Sequence, residues 1–152
     1  MSSLIAAVRP DSWNFPLLVH VVGAMILVGG LLTGASALAF ARGDARFLRL
    51  GYWTLLLVAL PGYIVMRIGA QWIYSESVYD NLPEDPTWIG IGFIVADIGA
   101  LLVLIALILG GIGVRRLRNG KGTGLLKAAM VIAWVVLAAA LVAVWAMAGK
   151  PD

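Results

Sequence analysis

The chain has 152 residues, of which 62% are hydrophobic and only 12% charged, with no cysteine and a formal net charge of +3. Eleven basic and eight acidic residues supply too little polar surface for a soluble domain of this size, so the composition assigns an integral membrane protein. The missing cysteines exclude disulfides, thiolate metal sites and a cysteine nucleophile. The basic balance does not point to nucleic acid, because most of the Lys and Arg sit in two short loops between apolar runs, where topology accounts for them.

Trp13 and Phe15 are suited to anchor the membrane edge, after a short lead that carries Arg9, Pro10 and Asp11. The first apolar run, Phe15 to Phe40, has no formal charge and exceeds the roughly 20 residues that cross a bilayer as a helix. Ala35-Ser36-Ala37 resembles a signal-cleavage site, but the run is about twice the usual length of a signal core, so it is read as a mature helix. His20, the only histidine, lies within it. At about 100° per residue His20 shares one side with Gly23, Ala24 and Gly34, with Gly30 at its edge, whereas Leu18, Ile26 and Leu32 point elsewhere. Small residues let helices approach closely in lipid, so this side, and His20 with it, is expected to face protein. Two roles for His20 stay open: a cross-helix hydrogen bond, or a ligand or proton-carrying group.

The connection from Ala41 to Arg49 carries Arg42, Arg46 and Arg49 against Asp44, and a second span is expected over about 50–74. Pro61 and Gly62 predict a kink in it, and beyond them Tyr63, Arg67, Gln71 and Tyr74 recur on one face. The segment from Ser75 to Thr87, with four carboxylates and two prolines, reads as a loop. A third span over about 88–114 holds a single charge, Asp97, and a basic loop follows from Arg115 to Gly124. Gly-Lys-Gly-Thr in that loop only faintly resembles a phosphate-binding turn, lacking both the Lys-Ser/Thr pair and the strand-to-helix context. The fourth span covers about 125–148 and contains Trp134, whose indole N–H calls for a partner.

These features predict an all-α, integral membrane four-helix bundle forming a single transmembrane domain over residues 1–152. Three basic residues in the first connection and five from Arg115 to Lys127, against none in the second connection, put both termini and the acidic loop outside. So strong a bias argues against a protein inserted both ways round. Counted along their helices, His20, Arg67, Gln71 and Asp97 all fall in the outer half, roughly 5–14 Å deep. Charges at such depth tend to pair or to line a wet cavity, so an Arg67–Asp97 ion pair is expected with His20 and Gln71 close by. The alternatives are snorkelling for Arg67 and a protonated, hydrogen-bonded carboxyl for Asp97.

Leu18-Val19-His20-Val21-Val22-Gly23-Ala24, followed by Val28-Gly29-Gly30, resembles the first-helix pattern of the CopD-like group of bacterial membrane proteins. The four-span layout and Arg67-Ile68-Gly69-Ala70-Gln71-Trp72 are similar to one of its uncharacterised families. The resemblance implies a bacterial inner-membrane protein with a helix-one histidine, here His20, as metal ligand for haem or copper; Arg67, Gln71 and Asp97, at the same depth, are the candidates for the rest of a cofactor site. The chain departs from porphyrin-handling relatives in lacking a membrane-embedded lysine. A single histidine also rules out bis-histidine haem within one chain, leaving a five-coordinate haem or a second ligand among Met25, Met66, Met130 and Met147, residues that packing also explains. Three functions remain in view: a redox or metal-associated protein, a non-catalytic subunit or assembly factor bound to a membrane-protein partner, and a proton or solute conductor acting as a homo-oligomer.

Overall fold

The computed structural model describes residues 11–76 and 87–149, so Arg9, Pro10, Lys150 and most of the acidic connection lie outside the described residues. A 3-10 turn, Asp11–Trp13, leads into α1, Asn14–Phe40. It is followed by α2, Ala45–Glu76, α3, Thr87–Arg118, and α4, Gly124–Gly149. All four are long and apolar enough to cross a membrane, and the described residues contain no strand. The protein is a multi-pass membrane protein built as an all-α four-helix bundle. Four crossings bring the start of α1 and the end of α4 to one side, the terminal face, opposite the basic face formed by the α1–α2 and α3–α4 turns.

Two helix ends differ from the hydropathy pattern because local hydrogen bonding sets them. The first connection shrinks to 41–44, where Arg42 and Gly43 take positive φ, and Asp44 caps α2 by accepting from the Arg46 N–H at 2.7 Å. Arg46 and Arg49 are therefore helical, and Leu48 and Gly51 of the same segment are buried. At the other turn α3 runs on to Arg118. Gly120, at φ 69°, ends it by letting its own N–H reach the Leu117 carbonyl and the Lys121 N–H reach the Arg116 carbonyl, the Schellman arrangement. Gly-Lys-Gly-Thr thus links two helices.

Pro61 is accommodated by a change in the helix just before it. One turn before it, Leu55–Ala59 widens into a π-helix, and the Leu60 N–H reaches back to Leu55 O. The wider turn makes room where a proline ring would strike the carbonyl four residues upstream.

Glycines bring α1 and α2 into backbone contact along most of their length. The antiparallel register runs His20 against Gly69, Gly23 against Met66, Leu27 against Gly62, Gly30 against Ala59 and Gly34 against Leu55. A Cβ added to Gly23 or Gly69 would land on the partner backbone, and one at Gly62 would come within 2.5 Å of the Leu27 nitrogen. In lipid the hydrophobic effect does not drive helices together, so this close van der Waals contact holds the hairpin. The remaining interior is apolar, with Leu31, Leu55, Val103, Leu126, Ala133 and Val136 among its buried side chains. A central void of about 10 Å³ is lined entirely by Leu, Ala and Val, too small and too apolar for a water path. Trp134 departs from expectation: it lies on the outer side of α4, 37% exposed, and no hydrogen bond joins its indole to a described residue.

Gly69→Ala and Gly23→Ala are expected to lower stability by about 1–3 kcal/mol, the usual cost of overpacking. Gly29→Ala, where an added Cβ meets nothing within 4 Å, should stay within about 0.5 kcal/mol of the parent in the same denaturation series in detergent.

Candidate functional site

The seam between α2 and α3 changes character along its length. Near the basic face the two helices approach closely, with the Tyr52 ring lying on Gly110 and Gly111. Toward the terminal face their backbones stand further apart and long side chains bridge the gap. Tyr63 donates from its hydroxyl to Ala96 O at 3.2 Å, and Arg67 donates from Nη2 to Asp97 Oδ1 at 2.9 Å. The Arg67 guanidinium also lies 4.9 Å from the centre of the Phe93 ring, which Tyr74 meets edge-on at 5.3 Å. Phe93 thus covers one side of the guanidinium and adds a cation–π attraction.

The expected Arg67–Asp97 ion pair therefore forms. Arg67 lies nine residues before the end of α2 and Asp97 ten after the start of α3, which places both roughly 14–15 Å from their helix ends at 1.5 Å per residue. Within helices of 32 residues each, this lies inside the central stretch of about 30 Å that the hydrocarbon of a bilayer would cover. The two partners are not equally covered. The Arg67 side chain is 29% exposed, whereas the Asp97 side chain is 64% exposed and uses only one oxygen in the pair.

His20 is held elsewhere. Its Nδ1 lies 3.0 Å from the Met66 carbonyl, and since a carbonyl only accepts, Nδ1 carries the proton and the Nε2 of a neutral ring is left as the basic nitrogen. Met66 and Arg67 are consecutive on α2, about 100° apart around its axis, so Met66 faces α1 and its His20 while Arg67 faces α3. Gln71 sits one turn beyond Arg67, outward-facing, with no hydrogen bond to a described residue. The four polar residues thus fall in the same half of the bundle, with Gln71 about 6 Å nearer the helix end than Arg67, and form an ion pair, a separate histidine–carbonyl bond and an outward amide.

Among the described residues no group of three or more metal-ligating side chains gathers. Met66 and Met130 pack against the apolar core, and the Met147 methyl rests on Gly92. His20 accordingly offers a metal one nitrogen, oriented by a carbonyl on the other, an arrangement common to histidine ligands. The terminal face is ringed by aromatics: Trp13 donates its indole N–H to Glu76 O at 3.1 Å, and Phe15 meets Trp72 edge-on at 5.7 Å. This ring suits the membrane–water interface and ties the start of α1 to the end of α2. No family model, curated protein or solved structure matches the chain.

Arg67→Gln and Asp97→Asn should each lower the melting temperature in detergent, since an unpaired charge at this depth costs on the order of 2.5–3.5 kcal/mol on insertion scales. Exchanging the two residues, Arg67→Asp with Asp97→Arg, should recover most of the loss; a double variant no more stable than the singles would show that the pair does not hold the seam.

Proposed function

We propose that the protein is a non-catalytic membrane subunit that joins other transmembrane helices through the flank carrying Arg67, Gln71 and Asp97. The observation that supports this is a carboxylate 64% exposed within a helix long and apolar enough to cross a membrane, with one oxygen bonded to Arg67. Lipid has nothing to offer that group, and a polar contact from another helix has. The apolar centre of the bundle argues against conduction through one copy, and the described residues supply neither a nucleophile with its base nor a metal cluster. Such a subunit would use the ion pair to set depth and register against its partner, a role for which buried polar groups are well suited. A photo-crosslinking residue in place of Leu101, which faces outward one turn from Asp97, should give protein adducts in native membranes; adducts with lipid alone would contradict the reading.

A second reading follows the resemblance to the CopD-like group and places the protein in a bacterial inner membrane, termini outward, with haem or copper on His20. It is favoured by the bond from Nδ1 to Met66 O, which leaves Nε2 for a metal. Arg67 would then face an anionic group such as a propionate. Protein purified from haem-replete cells should show a Soret band that His20→Ala abolishes, whereas a colourless, metal-free preparation would remove this reading.

A further inference from the structure

We infer that the partner on the α2–α3 flank is a second copy of this chain, related by a two-fold axis along the membrane normal, with Arg67 of each copy reaching Asp97 of the other. The inference rests on the subunit reading above and names its partner.

The geometry of the flank carries it. On α2, Gly62, Met66 and Gly69 address α1, and Tyr63 and Arg67 address α3. The remaining side, with Ile64, Ile68 and Gln71, faces away from the bundle. On α3, Gly92 and Gly113 address α4, and Phe93 and Ala96 address α2. Ile94, Asp97 and Leu101 are left outward. The two outward stripes therefore lie on the same flank, opposite α1 and α4, and the helices that bear them are antiparallel.

Apolar outward residues alone would not single this flank out, since α1 and α4 present them too, Met25 and Val142 among them. The charges do. An Arg–Asp pair lying across a flank is a dipole, and a two-fold axis along the membrane normal sets a second such dipole beside it, antiparallel and at the same depth. The four charges then alternate in sign around the axis, Arg67 beside Asp97 beside the second copy's Arg67 and Asp97. Each carboxylate gains a guanidinium for the oxygen that the single chain leaves without one, and no like charges meet. A symmetric interface of this kind is self-complementary by construction, and it closes after two copies. Toward the basic face, Leu101 lies one turn from Asp97 and Ile64 one turn from Arg67, so α3 of one copy meets α2 of the other apolar against apolar. In lipid the closed ring also removes two exposed carboxylates from hydrocarbon.

The chain has no cysteine, so single-cysteine variants of the full-length protein give clean disulfide readouts. Ile64→Cys and Leu101→Cys copies, mixed in lipid nanodiscs and oxidised, should form a heterodimer well above the level at which Val142→Cys, outward on α4, pairs with itself. The decisive arm places Leu101→Cys on a chain that also carries Arg67→Asp and Asp97→Arg. Each copy keeps its own internal ion pair and folds, but across the interface like now meets like, and crosslinking to an unswapped Ile64→Cys chain should fall by about tenfold or more, equivalent to about 1.4 kcal/mol. When both partners carry the swap, crosslinking should return.

Equal crosslinking of swapped with unswapped copies, or yields no higher than the Val142→Cys control, would overturn the inference. If the Leu101 photo-crosslinker still gives an adduct with another protein in native membranes, the subunit reading stands and only the second copy as partner fails. If no protein adduct forms there, both fail.

Discussion

A guanidinium held within the hydrocarbon needs its counter-charge there, and the contact between Arg67 and Asp97 is the constraint to which the rest of the terminal half is fitted. It fixes the depth of α2 against α3 where their backbones no longer touch, and Phe93, Tyr63 and Tyr74 are arranged about it. Insertion of one charged residue near mid-membrane is costly, and pairing within the chain offsets part of that cost. The part left over is visible as the outward face of Asp97, and that residue of unmet polarity is what gives this flank a different chemistry from the other sides of the bundle.

The pair can act as a depth marker only because α2 itself is held rigidly. Backbone contact through Gly23, Gly30, Gly62 and Gly69 leaves α1 and α2 little freedom to slide, since any shift by one residue would drive a side chain into the space a glycine vacates. The π-turn at Leu55–Ala59 contributes in a second way, because a widened turn alters the angular phase of everything beyond it. Tyr63 and Arg67 therefore point at α3 as a consequence of how Pro61 is accommodated, and His20 reaches the Met66 carbonyl on the neighbouring side of the same helix. Structure at the basic end of α2 thus sets the chemistry at its other end.

Much of this was legible in the chain. Span number followed from hydropathy, the protein-facing side of α1 from its small residues, and the Arg67–Asp97 contact from shared depth and opposite charge. What was not legible depended on local hydrogen bonds or on neighbours. Hydropathy drops at Arg46 and Arg49 and at Arg115, so the pattern stops there, but the Asp44 cap and the Gly120 terminus extend both helices past it. Pro61 and Gly62 predict a kink without saying that the helix would widen one turn earlier. Gln71 shares a face with Arg67, yet a wheel cannot tell a side chain that meets α3 from one that passes beside it. Trp134 suggested an interior partner, but the sides of an alanine-rich helix look alike until its neighbours are known.

The Arg67 side chain either stays inside the membrane with Asp97 or climbs to the headgroups. Nitrogen–carbon dipolar recoupling on protein in lipid bilayers, with Arg67 labelled in the guanidinium and Asp97 in the carboxyl group, measures this directly. A strong coupling, as the 2.9 Å contact requires, is the predicted result. Loss of that coupling, with the guanidinium instead in contact with lipid phosphorus, would contradict the account.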